Sequence, residues 1–251
     1  MLARRLVAAV GTLNEDGSIH KGAPRPRGQD LNRGRLAARR PVARRRVGRS
    51  GSKRLDTGRS AEHPRCMEHP TATTLEAGLD GIRRSPSDHG LVHLIVRRPA
   101  ENAREVLSEA RFDRNEGLVG DTWRLRPSNL TPDRSPHPDL QLTLMNSRVA
   151  ALVAGGDERR QLAGDQLYVD LDLSRANLPP GTRLVLGSAV IEISDKPHRG
   201  CRKFAERFGQ EALAFVNSPV GRELRLRGVN ARIVATGTIH VGDAIHRWPA
   251  D

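Results

Sequence analysis

From Thr71 to Asp251 apolar side chains recur at strand and helix spacings, and those spacings predict the elements. LVHLIVRR (91–98) reads as a strand, and Asn102 can cap a helix that runs through Ala110. LQLTL (140–144) is the next strand. Asn146 then caps an apolar helix to Ala154, which Gly155 and Gly156 stop. QLYVDLDL (166–173) alternates and predicts a strand with one polar face, and TRLVLGSAVIEI (182–193) predicts a hairpin turned near Gly187 and Ser188. A short helix Arg202–Phe208, closed by Gly209, precedes a second helix, Gln210–Asn217. The strands RELRLR (222–227), NARIVAT (230–236) and DAIHRW (243–248) complete the pattern.

Three Gly-Asp pairs, Gly120-Asp121, Gly164-Asp165 and Gly242-Asp243, mark tight turns between these short strands. Short strands, tight turns and a few inserted helices predict a mainly β, α+β fold: a mixed β-barrel with helical excursions. No alternating βαβ pattern and no phosphate-cradling glycine loop is visible. Residues 71–251 therefore read as one domain with its core over about 91–248.

Charge divides the chain differently. The formal charge of its 251 residues is +13, yet Lys21 to Ser60 alone holds 14 basic residues against two acids, Asp30 and Asp56. Everything outside that segment is nearly neutral, with 28 basic and 27 acidic residues. The segment is Arg, Gly, Pro, Ala and Ser with almost no large apolar side chains, so burial cannot offset its ordering entropy. Residues 1–70 are accordingly expected to be disordered. Three roles are open for them: a basic arm that neutralises nucleic-acid phosphates, a solvated tail, or text that is not natively translated, as a GC-rich gene yields from an over-extended start. No aromatic is interleaved to stack on bases, which weighs against nucleic acid as a partner. Two distant cysteines, Cys66 and Cys201, make neither a disulfide framework nor a zinc-finger spacing and point to a reducing, cytoplasmic compartment. No apolar run approaches the roughly 18–20 residues of a membrane span, and MLARRLVAAVGTL leads into Asn14, Glu15 and Asp16 rather than a cleavage site.

The candidate chemistry centres on Cys201, within SDKPHRGCRKFAERFG. A Pro-His-x-Gly turn delivers its sulfur to the first turn of a helix, where the partial positive charge of the helix end favours thiolate. Arg199, Arg202 and Lys203 add full charges, and His198 lies three residues upstream. After Thr71 the only lysines are Lys196 and Lys203, one on each side of Cys201. The plainer reading is a buried cysteine acting as a small hydrophobe. LRLRGVNAR places Arg225 and Arg227 on one face of the predicted strand, with Asn230 and Arg232 following. That face is either solvated or the wall of a cleft suited to an anionic ligand with phosphate groups. No His-Glu-x-x-His and no Gly-x-Ser-x-Gly occurs, so neither a zinc site nor a serine triad is marked.

These residues resemble a known family. From about Leu91 to Trp248 the chain is similar to a MOSC domain, the module first recognised at the C-terminus of molybdenum cofactor sulfurases. The likeness is carried by GLVGD (117–121), LQLTLMNSRVAALVAG (140–155), LAGDQLYVDLDLSRANLPPGTRLVLGSAVIEIS (162–194), KPHRGCRKF (196–204) and RGVNARIVATGTIHVGDAI (227–245). The resemblance implies a β-barrel-like fold and a characteristic cysteine, matched here by Cys201, proposed in the family to carry sulfur as a persulfide. In the eukaryotic amidoxime-reducing members the corresponding cysteine ligates the molybdenum of a pterin cofactor. On this reading Cys201 and His198 are the catalytic candidates, and Cys201 is also the candidate molybdenum ligand. Arg199, Arg202, Lys203, Arg225, Arg227, Asn230 and Arg232 are the candidates to hold an anionic cofactor.

Sulfur transfer or molybdenum-cofactor chemistry is thus the expected function, with a sulfur donor, a molybdenum-cofactor protein or a small-molecule substrate as partner. The alternatives are a molybdopterin-dependent reductase of N-hydroxylated compounds and a protein that binds nucleic acid through its basic arm. Pyridoxal-phosphate binding, also attached to the family, belongs to the sulfurase's separate aminotransferase-like domain. Neither Lys196 nor Lys203 has a Schiff-base context here. Residues 8–20, AAVGTLNEDGSIH, resemble the opening of pyridoxamine-phosphate-oxidase-like flavin barrels over too short a stretch to carry a flavin site.

Overall fold

Residues 69–249 are described by the structure, a computed structural model. The basic segment, Cys66 and the stretch 8–20 lie outside the described residues. Two short helices, α1 (Ala72–Ala77) and α2 (Leu79–Arg83), lead into β1 (Gly90–Arg97). Three short strands follow: β2 (Glu105–Leu107), β3 (Glu109–Asp113) and β4 (Gly117–Leu118). Next come β5 (Leu142–Asn146), α3 (Ser147–Ala154), β6 (Leu167–Asp170), and the hairpin of β7 (Arg183–Leu186) and β8 (Ala189–Ile193). Helices α4 (Arg202–Asn217) and α5 (Pro219–Glu223) precede β9 (Val229–Ala235), β10 (Gly237–His240) and β11 (Ala244–Arg247).

Seven of these strands close a mixed barrel in the order β1-β6-β5-β9-β8-β7-β11. The ring shuts where Gly90 and Leu91 pair with Ile245 and Ala244. β2 attaches to the far end of β1, while β10, β3 and β4 form a small separate sheet. β5 and β6 run parallel with α3 between them, one βαβ unit where no such pattern was visible. A single unit gives no repetition for a sequence pattern to register.

The two-residue period of the strands divides the apolar side chains between two cores. Leu142 and Leu144 of β5 and Leu167 and Val169 of β6 join Ile95, Ile191 and Ile245 in the first. Met145 and Tyr168, from the opposite faces, join Leu75, Val149, Phe204 and Phe208 of the helices in the second. The strand expected over 166–173 with one polar face is therefore shorter and buried on both faces, because helices cover its outer side.

The helix expected from Asn102 to Ala110 is two strands instead. Asn102 takes a left-handed φ of 60°, and Glu105, Val106 and Leu107 pair with Arg97, Val96 and Ile95. A helix this short is marginal alone, whereas β1 offers an unpaired edge, and the Arg97–Glu105 ion pair (2.7 Å) adds to the ladder. The strand expected over 222–227 is also absent. Ser218 caps α5 through its hydroxyl, which accepts from the Gly221 N–H (2.9 Å), and Pro219 opens the helix. Arg225 then turns at φ 49°, so Arg225 and Arg227 share no strand face.

Asn146 caps α3 as expected, accepting from the N–H groups of Arg148 and Val149, and Gly155 ends it at φ 63°. Gly187 turns the β7–β8 hairpin at φ 54°. Gly228, at φ 108°, enters β9 so close to β5 that a Cβ would overlap the Leu144 carbonyl oxygen. Gly228→Ala should therefore cost about 2–4 kcal/mol, read as a lowered urea midpoint. An unchanged midpoint would show that β5 and β9 can separate at no cost.

Candidate functional site around Cys201

Cys201 stands at the N-cap of α4 with extended backbone (φ −126°, ψ 177°), and its carbonyl accepts from the N–H groups of Phe204 and Ala205. The side chain makes no capping hydrogen bond and is exposed. Two features hold the sulfur there. Asn217, at the far end of α4, clamps Gly200 from both sides: its Oδ1 accepts from Gly200 N (3.1 Å) and its Nδ2 donates to Gly200 O (3.2 Å). Phe204 and Phe208, one turn apart, pin the first half of the helix to the outer core, with ring centroids 4.9 Å apart. Gly209 (φ 89°) kinks the helix where the sequence places a break, and His69 packs against it.

Beneath the thiol lies a buried ionic group built on one of the Gly-Asp turns. Gly164 turns at φ 93° and delivers Asp165, fully buried, to Arg227, whose Nη1 donates to Oδ2 (2.6 Å) and whose Nη2 donates to Ala163 O (2.9 Å). Nε2 of His198 lies 3.0 Å from Asp165 Oδ1, off the line of a good hydrogen bond. Burial pushes the Asp165 carboxyl up, but Arg227 and His198 together outweigh it and hold the group at about 2. Burial, seconded by Arg227, pushes the His198 imidazole below its ordinary value against the pull of Asp165. Burial thus disfavours the charged form of a ring that faces a carboxylate. The guanidinium of Arg227 also sits over the Phe204 ring, 5.1 Å from its centroid, so the ionic group and the Cys201 helix touch.

The second Gly-Asp turn sits beside the first. Gly120 (φ 81°) delivers Asp121 to Arg98, which donates Nε and Nη2 to the carboxylate at 2.8 Å each. Arg98 Nη1 also reaches Gly164 O (3.1 Å), bridging the two turns. The other half of this scaffold, Arg98 and Asp121, comes from the part of the chain before β5.

Cys201, Lys203, His198 and Arg227 line one cleft of about 600 Å³. Its walls add Arg98, Arg104, Arg126 and Arg207, with Glu101 as the sole acid among its lining residues. Glu101 is taken by Lys203 (3.2 Å), and Arg98 and Arg227 have their aspartates. Arg104, Arg126 and Arg207 have no carboxylate partner among the described residues. Arg104 is pushed below its ordinary value by burial, then by Arg207 and Arg98, and Arg126 by burial and Arg98. The Nε of Arg104 is buried with no hydrogen-bond partner among the described residues. Such a cleft is electrostatically incomplete without an anion.

The other candidates lie elsewhere. Arg202 is exposed and faces Glu206 on the next turn (3.4 Å). Arg232 sits on an outer strand face against Glu192 (2.5 Å), and Asn230 is buried, its Nδ2 donating to Lys196 O (3.1 Å). Arg199 and Arg225 line a second, smaller cleft. Arg98, Arg104, Arg126, Arg207 and Asp165 were not singled out from the sequence as site residues. The Gly-Asp dipeptides were its available signal, since a turn that forces a short acid inward must supply a buried cation.

The family model for the MOSC domain matches residues 157–246, a span that contains Asp165, His198, Cys201, Arg207 and Arg227. Over that span the chain carries a MOSC domain. The MOSC segment thus supplies the thiol and the buried ionic group, while Arg98, Arg104 and Arg126 come from the chain before it. Among solved structures, the YUAD protein from Bacillus subtilis is 18% identical with a TM-score of 0.48, over 64% of this chain and 97% of that one. YiiM from Escherichia coli is 18% identical with a TM-score of 0.43, over 64% of this chain and 71% of that one. YiiM from Geobacillus stearothermophilus is 16% identical with a TM-score of 0.41, over 64% and 75%. No curated protein matches the chain. Among the described residues no helix is long and apolar enough to cross a membrane, and no three His, Cys, Asp or Glu side chains group as a metal site.

The donor set fits an anionic group that carries a soft metal. It offers one exposed thiol and three arginines without carboxylates around about 600 Å³. Lys203, the lysine in the cleft, is exposed and paired with Glu101.

Proposed function

We propose that Cys201 is the working thiol of this MOSC-domain protein and acts in sulfur or molybdenum-cofactor chemistry within the arginine-lined cleft. The observation that carries the reading is the exposed sulfur at the N-terminus of α4, in one cleft with Arg104, Arg126 and Arg207. Arg104, Arg126 and Arg207 would hold the phosphate-bearing end of the molybdenum–pterin cofactor, and Cys201 would offer a thiolate ligand. When bound, that cofactor supplies two-electron redox chemistry, as a reductase of N-hydroxylated compounds would require. His198 lines the same cleft, where burial and Arg227 disfavour its charged form.

The exposure of Cys201 also supports a sulfur-carrier reading. There the Cys201 thiolate attacks the outer sulfur of a donor persulfide, RS–SH. A new S–S bond forms on Cys201, the donor S–S bond breaks, and RS⁻ leaves while the transferred sulfur keeps its proton.

Elemental analysis of native protein tests the reading. Near-stoichiometric molybdenum supports the cofactor role, and cyanide-labile sulfur without molybdenum supports the carrier. If neither is present, and neither can be loaded, Cys201 is not a working thiol.

Arg104→Ala with Arg126→Ala provides a second check. Each charge-assisted contact contributes about 1.5–3 kcal/mol, so anionic-cofactor affinity should fall at least tenfold for each arginine removed. Thermal stability of the cofactor-free protein should be unchanged or higher, because mutual repulsion is relieved. A double variant that retains cofactor like the wild type would move the binding site elsewhere.

A further inference from the structure

The turn Pro197–Gly200 has a second side. Behind it lies a cleft of about 70 Å³, bounded by the turn itself, the ends of α4 and α5, and the start of β9. That is room for a few waters or one tetrahedral oxyanion, and far too little for a nucleotide. Four arginines line it: Arg175, Arg199, Arg222 and Arg225. The one acid among its lining residues, Asp195, is engaged by Lys196 at 2.9 Å. None of the four arginines has a carboxylate partner among the described residues.

The fold brings together the segments that carry them, with Arg175, Arg199 and Arg222 exposed at the rim. Arg225 is half-buried, fixed by its left-handed backbone (φ 49°) and by Nη1 donating to Leu178 O (2.6 Å). The Arg175 backbone N–H donates to Glu223 O (3.1 Å), which draws the loop after β6 against the end of α5. The Asn217 clamp on Gly200 sets the opposite wall. Burial and the charge of Arg175 together push the Arg225 guanidinium below its ordinary value. The Arg225 guanidinium is thus held close to a second cation, with backbone carbonyls but no carboxylate to offset it among the described residues.

We propose that this cleft is an oxyanion site in which Arg175, Arg199, Arg222 and Arg225 bind a small tetrahedral anion of the phosphate or sulfate class. It shares His198 with the Cys201 cleft but none of the four arginines, and it does not rest on the function assigned to that thiol.

The test is arginine-directed labelling of the full chain with phenylglyoxal, with and without inorganic phosphate, mapped by peptide mass spectrometry. Phosphate should slow modification of Arg175, Arg199 and Arg222 together, while Arg83 and Arg183, paired with Asp80 and Glu192, report non-specific effects. Arg104 and Arg126 report occupancy of the Cys201 cleft separately. In a variant carrying Arg175→Ala and Arg222→Ala, half-protection of Arg199 should require about ten- to a hundredfold more phosphate. Sulfate equal to phosphate would assign the site to a free ion, and glycerol 3-phosphate acting below either would assign it to the phosphoryl end of a metabolite. Both keep the site. Arg175 and Arg222 reacting at one rate with and without phosphate would overturn it, as would wild-type protection of Arg199 in the double variant.

Discussion

Asp165→Ala is expected to destabilise the protein by about 3–5 kcal/mol, the largest single stability effect in the site. The substitution leaves the buried Arg227 with the Ala163 carbonyl as its one hydrogen-bond acceptor among the described residues. It also removes the anion that faces His198. For a domain of this size the melting temperature should fall on the order of 10 °C. Asp165→Asn keeps the volume and one acceptor and should fall between the two. A melting temperature within a degree or so of wild type for Asp165→Ala would mean that Arg227 finds another partner or reaches water.

The same group sets the acid limb of stability. The folded Asp165 titrates near 2, below its ordinary 3.8, so its contribution is complete above that ordinary value. It is lost as pH falls through 2. His198 acts at a higher pH with the same sign. Its folded value is lowered from 6.5, so below that pH the unfolded chain takes up a proton that the folded chain resists, and stability declines. In Asp165→Ala the lower limb should vanish while the His198 limb remains. Urea midpoints measured from pH 2 to 8 would separate the two.

Cys201→Ser should abolish chemistry while leaving the fold intact or firmer. Serine keeps nearly the same volume but presents a hard hydroxyl that stays protonated at neutral pH, so neither persulfide formation nor soft-metal ligation is open to it. Cyanide-labile sulfur after incubation with a donor persulfide, and molybdenum retained through purification, should both fall to background. Stability should move the other way. Cys201 is an N-cap residue whose side chain makes no capping bond, whereas serine is among the preferred N-caps, so the helix should gain about 0.5–1 kcal/mol. A serine variant that still loads sulfur or metal at the wild-type level would sink the assignment of Cys201.

Local chemistry alone determined a good part of this protein. The cap at Asn146, the stop at Gly155, the hairpin at Gly187 and the break at Gly209 were legible because each needs only a short polar side chain or a glycine at a fixed offset. The position of Cys201 at a helix start was legible for the same reason. Tertiary structure decided what depends on distant partners. Residues 105–107 became a strand because β1 had an edge to pair, and Leu167–Asp170 lost its polar face because helices cover it. Arg225 and Arg227, two residues apart in sequence, went to different clefts because α5 and a left-handed turn replaced the expected strand. The cleft around Cys201 draws Arg98, Arg104 and Arg126 from one part of the chain and Asp165, Arg207 and Arg227 from another. Sequence spacing carries no information about that meeting. A charge without a carboxylate partner, which marks both clefts, is a property of three-dimensional neighbours, and only the closed barrel defines them.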